Sequence, residues 1–113
     1  MGGQGREFIT PEIDKRQHRR AKLVTQVKCE AMNRDELLVT RDVSIGGLFI
    51  NTKTPLPLDS MVGLSFSLAP GHPAIACKGK VVFSRKDLGM GIEFSDLNAE
   101  NRQSLEKFVD EVN

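Results

Sequence analysis

Ile75-Ala76-Cys77-Lys78-Gly79-Lys80-Val81-Val82-Phe83 decides the fold of this chain. Ile75, Cys77, Gly79, Val81 and Phe83 fall on one phase of a period-two pattern, with Lys78 and Lys80 on the other. Alternation of this kind is the mark of a strand with one face buried. The pattern continues on both sides. Upstream, Val62, Leu64, Phe66 and Leu68 alternate with Gly63, Ser65 and Ser67, and Ala69-Pro70-Gly71-His72-Pro73 supplies turn chemistry between the two runs. Downstream, Arg85-Lys86-Asp87 turns the chain, and Leu88, Met90, Ile92 and Phe94 alternate with Gly89, Gly91 and Glu93.

The first half of the chain repeats the theme. Leu23, Thr25, Val27, Cys29 and Ala31 share a phase opposite Val24, Gln26, Lys28 and Glu30. Asn33-Arg34-Asp35 is a hairpin turn, residues 36–43 form a second strand, Gly46-Gly47 interrupts it, and residues 48–52 resume as a third. Residues 53–60, with two prolines and an Asp, form a loop. The ending changes period. Leu105, Phe108, Val109 and Val112 lie at i, i+3, i+4 and i+7, which is helical spacing, with Asn98 as the N-cap and Glu100 at the positive end of the helix dipole. Six short strands with turns between them specify an antiparallel barrel or sandwich, and the terminal helix covers one opening or edge.

Composition narrows the function. With 113 residues and 39 % apolar content, the chain has material for one modest core. The net charge of +1 argues against a globally basic nucleic-acid protein. No stretch approaches the roughly 18 consecutive apolar residues of a membrane span, and residues 1–10 lack the apolar core of a signal peptide, so a cytoplasmic location is expected. Cys29 and Cys77 read as small buried hydrophobes. No CxxC or HxxxH spacing offers a metal site, no nucleophile–base pairing stands out for an enzyme, and there is no phosphate loop. With neither Trp nor Tyr, a base-stacking sheet has only six Phe to draw on, and most of them fall on the inward phase; Phe49 is the exception.

Two polar motifs remain. Arg16-Gln17-His18-Arg19-Arg20 places two arginines four residues apart within a basic run that begins at Lys15 and contains no acid up to Lys22. Asp42-Val43-Ser44-Ile45-Gly46-Gly47 packs an acid, a hydroxyl and a glycine pair into six residues. Arginine donates two parallel hydrogen bonds to phosphate or to the O6/N7 edge of guanine, and its flat face stacks on rings. Asp42 and Ser44, two apart on a strand, are expected to point the same way. The carboxylate of Asp42 can accept from guanine N1–H and N2–H₂, or hold an arginine of the arm. Gly46 and Gly47 allow close approach to backbone N–H groups. Taken singly, the basic run is most often a solvated arm, and the second motif an ordinary turn in which Ser accepts from backbone and Gly supplies positive φ. Together they describe a site for a guanine nucleotide.

RxxxR (Arg16, Arg20) followed by DxSxxG (Asp42, Ser44, Gly47) resembles the PilZ domain, a bacterial receptor domain for cyclic di-GMP. Residues 42–50 and the run Gly89-Met90-Gly91-Ile92-Glu93-Phe94 also resemble that family, over roughly residues 14–113, behind a flexible tail at 1–13. The resemblance implies an all-β fold, a six-stranded antiparallel β-barrel with a C-terminal α-helix. It implies a non-catalytic receptor with no cofactor, whose ligand is cyclic di-GMP and whose partner is a downstream protein. Arg16 and Arg20 would grip guanine and phosphate while Asp42, Ser44 and Gly47 line the barrel beneath, with Gly46 beside them and Gly91 near the ligand's edge. Lys15 occupies the position before the first motif arginine, which bears on whether one ligand or an intercalated pair is bound. A protein-interaction adaptor without nucleotide, or a small barrel binding RNA, is the alternative.

Overall fold

The computed structural model describes residues 19–112. Lys15, Arg16 and the expected tail at 1–13 lie outside the described residues. Among the described residues seven strands precede one helix: β1 (Ala21–Lys22), β2 (Gln26–Ala31), β3 (Arg34–Val43), β4 (Gly47–Asn51), β5 (Met61–Phe66), β6 (Ile75–Arg85), β7 (Gly89–Phe94) and α1 (Ala99–Val112). Every strand pair is antiparallel, and the order β1-β3-β2-β5-β6-β7-β4 returns from β4 to β3. Six strands therefore close on themselves as a barrel, which removes the exposed edges an open sheet would leave.

β3 makes the closure. On one side its first half, Arg34 to Val39, pairs with β2; on the other its second half, Val39 to Val43, pairs with β4. Above β2, the two-residue β1 adds to β3 with Ala21 opposite Val43 and Lys22 opposite Asp42. Between β1 and β2 the chain leaves the ladder, and the buried Thr40 hydroxyl bridges the gap. It donates to the Leu23 carbonyl at 2.5 Å and accepts from the Thr25 N–H at 3.0 Å. A hydroxyl inside a barrel would cost stability without such partners.

The alternating positions read from the sequence fill the interior: Val27 and Cys29 from β2, Val62, Leu64 and Phe66 from β5, Ile75, Cys77 and Val81 from β6, Met90 and Ile92 from β7. Both cysteines are buried and free, and desolvation pushes each thiol up to about 11. The α1 helix begins as its sequence directs. Asn98 Oδ1 accepts from the Asn101 N–H at 2.7 Å, a capping bond. Its Leu105 joins the core cluster, Val109 is buried, and the helix packs against β1. No helix among the described residues is long and apolar enough to cross a membrane.

Two register shifts change which face a side chain takes. One lies between Thr40 and Asp42 in β3, the other between Val81 and Phe83 in β6. Each inserts an extra residue into its strand, so the alternation slips. The second shift corrects the reading of Phe83 as inward. Phe83 is opposite Gly91, whose neighbours Met90 and Ile92 point inward, so Phe83 lies on the outer face.

Candidate functional site

The DxSxxG segment divides at the end of β3. Asp42 is the last outward residue of the strand; Val43 turns in, and Ser44 lies beyond the strand end. The expectation that Asp42 and Ser44 share a direction along one strand is therefore corrected. Ser44 is fully buried, and its Oγ accepts from the Gly46 N–H at 3.1 Å and reaches the Gly47 carbonyl at 3.5 Å. Backbone bonds complete the turn, from Ser44 N–H to the Gly47 carbonyl at 2.8 Å and from Phe94 N–H to the Gly46 carbonyl at 2.9 Å. Ser44 and the amide of Gly46 are thus engaged within the turn, in the manner of a short side chain that replaces backbone partners.

Gly47 answers a different demand from the one expected of a turn glycine. It is not among the residues with positive φ. A Cβ at this position would stand 2.0 Å from the Ile92 carbonyl oxygen and 3.2 Å from Glu93 Cα, so no side chain fits between β4 and β7. Glycine is required here by strand contact. Gly89 likewise faces the Ile50 carbonyl oxygen and the Phe49 ring, at 2.3 and 2.6 Å from an added Cβ.

Asp42 remains at the surface and collects cations. β1 brings the first: Lys22 pairs with Asp42, and Arg20, two residues earlier, lies on the same side. Arg20 Nε donates to Asp42 Oδ1 at 2.7 Å. The pair is well shielded, with side chains 9 % and 19 % exposed. Arg41 supplies the second cation, its Nε donating to Asp42 Oδ2 at 3.0 Å. One carboxylate thus joins two arginines, a charge-assisted arrangement that fixes both forks.

The β3 bulge explains why Asp42 lies beside Arg41. In a regular strand Arg41 and Asp42 would point to opposite faces; the register shift leaves both outside, opposite Phe49. The Arg41 guanidinium carbon lies 3.9 Å from the centroid of the Phe49 ring. Phe49 points away from the core positions Leu48 and Ile50, yet it is buried. Arg41 covers it, and Phe83 meets it with ring centroids 5.8 Å apart. Gly91 pairs with Phe49 on one side and Phe83 on the other. Its missing side chain lets the two rings approach across the strand between them. The outer surface therefore carries one connected group: Arg20, Asp42, Arg41, Phe49, Gly91 and Phe83.

Of the residues singled out in the sequence, Asp42 and Arg20 meet directly, Ser44, Gly46 and Gly47 form the supporting turn, and Gly91 forms the floor between the rings. Arg16 and Lys15 lie outside the described residues. Arg41 and Phe83 escape the sequence reading because the bulges, which bring Asp42 to the face of Arg41 and turn Phe83 out, leave no mark in a period-two pattern. Arg19 leads the opposite way, to Asp110 near the end of α1, in an exposed ion pair. Among the described residues no cluster of His, Cys, Asp or Glu fit to hold a metal is present. Surface cavities of about 490 Å³ beside Lys28 and Lys78, and about 420 Å³ beside His72 and Phe108, are lined by none of the group.

The family model of the PilZ domain matches residues 14–111, nearly the whole chain. The chain belongs to the PilZ domain family. PilZ domains are non-catalytic receptors. Solved structures with the same fold include the Bacillus subtilis inhibitor of motility (MotI/DgrA), at 17 % identity and a TM-score of 0.72, over 84 % of this chain and 49 % of that one. The PilZ domain of Escherichia coli YcgR with c-di-GMP matches at 10 % identity and 0.63, covering 87 % of this chain and 91 % of the other. Borreliella burgdorferi PlzA in complex with c-di-GMP matches at 16 % identity and 0.52, over 89 % and 38 %. This chain spans about half the length of MotI/DgrA and less of PlzA. At these identities the likeness is one of fold. No curated protein matches the sequence.

Proposed function

We propose that this PilZ domain is a receptor for cyclic di-GMP that signals to a partner protein. The observation that carries the reading is the Arg20–Asp42 pair on the outer face of the barrel, shielded from water and flanked by Arg41. Two of the solved structures with this fold are complexes with c-di-GMP. The ligand offers what such a group recognises: two phosphates for arginine forks and two guanines with N1–H and N2–H₂ donors for a carboxylate.

In this reading Asp42 accepts from a guanine while Arg20 and Arg16 grip phosphate and the guanine edge. Lys15, next to Arg16 in the sequence, adds positive charge to the arm, and Gly91 lies at the ligand's edge. Ser44, Gly46 and Gly47 act by setting the turn that presents Asp42. Ligand capture orders the N-terminal arginine arm around the Arg20–Asp42 anchor already in place, and the new surface is read by the partner. Disorder-to-order and loop-closing steps of this type convert binding into a change of shape.

Calorimetric titration with cyclic di-GMP tests the proposal, with GTP and cyclic GMP as controls. Saturable binding of the cyclic dinucleotide alone is expected, and the titration also gives one or two ligands per protomer. Heats indistinguishable from dilution at high ligand concentration would overturn it in favour of a nucleotide-free adaptor. Strongly salt-dependent binding of RNA without preference for the dinucleotide would favour the RNA-binding alternative.

A further inference from the structure

We infer that Arg41, which neither motif includes, is a ligand-contacting residue: its guanidinium, seated on the Phe49 ring, is a stacking platform for a purine base. The inference rests on the receptor reading and adds to it a surface that binds the base by its flat face.

Three observations converge on Arg41. Its position is fixed at two points, by the Asp42 Oδ2 bond at 3.0 Å and by the Phe49 ring 3.9 Å from its guanidinium carbon. A long flexible side chain held twice keeps less rotamer freedom to lose on binding. Phe49 is itself immobilised, buried between Arg41, Phe83 and the close-packed backbone at Gly89. Finally, the Arg41 side chain stays 46 % exposed although one side of its guanidinium rests on the ring. A planar cation seated on an aromatic ring in a side chain still half open to solvent is a preformed half of a ring–cation–ring stack.

The location suits that role. Arg41 bonds one oxygen of Asp42 while Arg20 bonds the other, so a base stacked on Arg41 lies beside the carboxylate proposed to read its Watson–Crick edge. An arginine whose task was only to cover Phe49 would need neither the Asp42 bond nor an exposed second side. The bulge in β3 is the device that brings Asp42 to the face of Arg41, since without it Arg41 and Asp42 would lie on opposite faces.

Titration of cyclic di-GMP into the full chain and its Arg41→Ala, Arg41→Lys and Arg20→Ala variants tests the assignment, with thermal unfolding of each as a check on folding. Stacking of a base on a planar side chain supports an affinity loss of roughly tenfold for Arg41→Ala. Arg41→Lys keeps the charge beside Asp42 but not the flat face, and is expected to lose nearly as much. Full recovery by Arg41→Lys would overturn the stacking role, because charge alone would then suffice. Wild-type affinity in Arg41→Ala, alongside lost binding in Arg20→Ala, would overturn this inference and leave the receptor reading standing. No binding by the unaltered chain would overturn both.

Discussion

The two halves of one six-residue motif serve different surfaces of the barrel. Ser44, Gly46 and Gly47 face the protein: the hydroxyl closes a turn, and the bare Cα of Gly47 lets β4 meet β7. Asp42 faces outward and gathers Arg20 and Arg41. The difference teaches that residues close together in a binding motif need not all touch the ligand. Some place the backbone from which the others reach.

The largest effect is expected at the inner half. Gly47→Ala forces a Cβ to 2.0 Å from the Ile92 carbonyl oxygen, a clash of backbone with backbone that no rotamer relieves. A loss of about 3 kcal/mol or more in denaturant unfolding is expected. A variant as stable as the parent would show that β4 and β7 can separate, and that Gly47 is needed for something other than strand contact.

At the outer half, Arg20→Ala removes a guanidinium from a shielded carboxylate. Cyclic di-GMP affinity is expected to fall by about 2 kcal/mol or more, roughly thirtyfold. Affinity unchanged in a folded variant would detach Arg20 from the ligand.

Alkali should act on the barrel interior. The thiols of Cys29 and Cys77 ionise at about 11 in the folded barrel, against 9.0 for the free group. The folded state holds their protons more tightly, so the stabilisation is complete below about pH 9 and is lost as pH rises toward 11. A fall on the order of 2 kcal/mol per thiol across that window is expected in chemical denaturation, and replacing both cysteines with alanine should flatten it. A slope unchanged by that replacement would assign the alkaline loss to other groups.

Ser44→Ala should cost about 1 kcal/mol of stability, the worth of the hydroxyl's bonds within the turn. Smallest of all is Asp110→Ala. The Arg19–Asp110 pair is exposed on both sides, so unfolding should shift by no more than about 0.5 kcal/mol. A larger loss would mean that the arm and α1 are coupled more tightly than an exposed ion pair allows.

Much of this architecture is legible in the sequence. Period-two runs locate four of the six barrel strands because each has one face in the core, the turn residues around them bound the other two, and the Asn98 cap and the Leu105–Val109 stripe locate the helix. The β1 strand is invisible for the opposite reason: two residues carry no period, and it forms only because β3 extends past the end of β2. In the site, Asp42 and Arg20 are readable as motif residues, since arginine forks and carboxylates declare their chemistry. Arg41 and Phe83 are not. Each lies at a bulge, where one inserted residue reverses the face of those that follow: Phe83 itself in β6, and in β3 Asp42, which then joins Arg41 outside. Nor could a motif reveal that the Ser44 hydroxyl is turned to its own backbone, because that depends on where the strand stops.

Side-by-side calorimetric titration of cyclic di-GMP into Arg20→Ala and Ser44→Ala tests the division of the motif most directly. If Asp42 and its arginines meet the ligand while Ser44 holds the turn, Ser44→Ala keeps near-parental affinity and Arg20→Ala loses roughly thirtyfold or more. Equal losses in both variants, with both still folded, would contradict that division and place the Ser44 hydroxyl against the ligand.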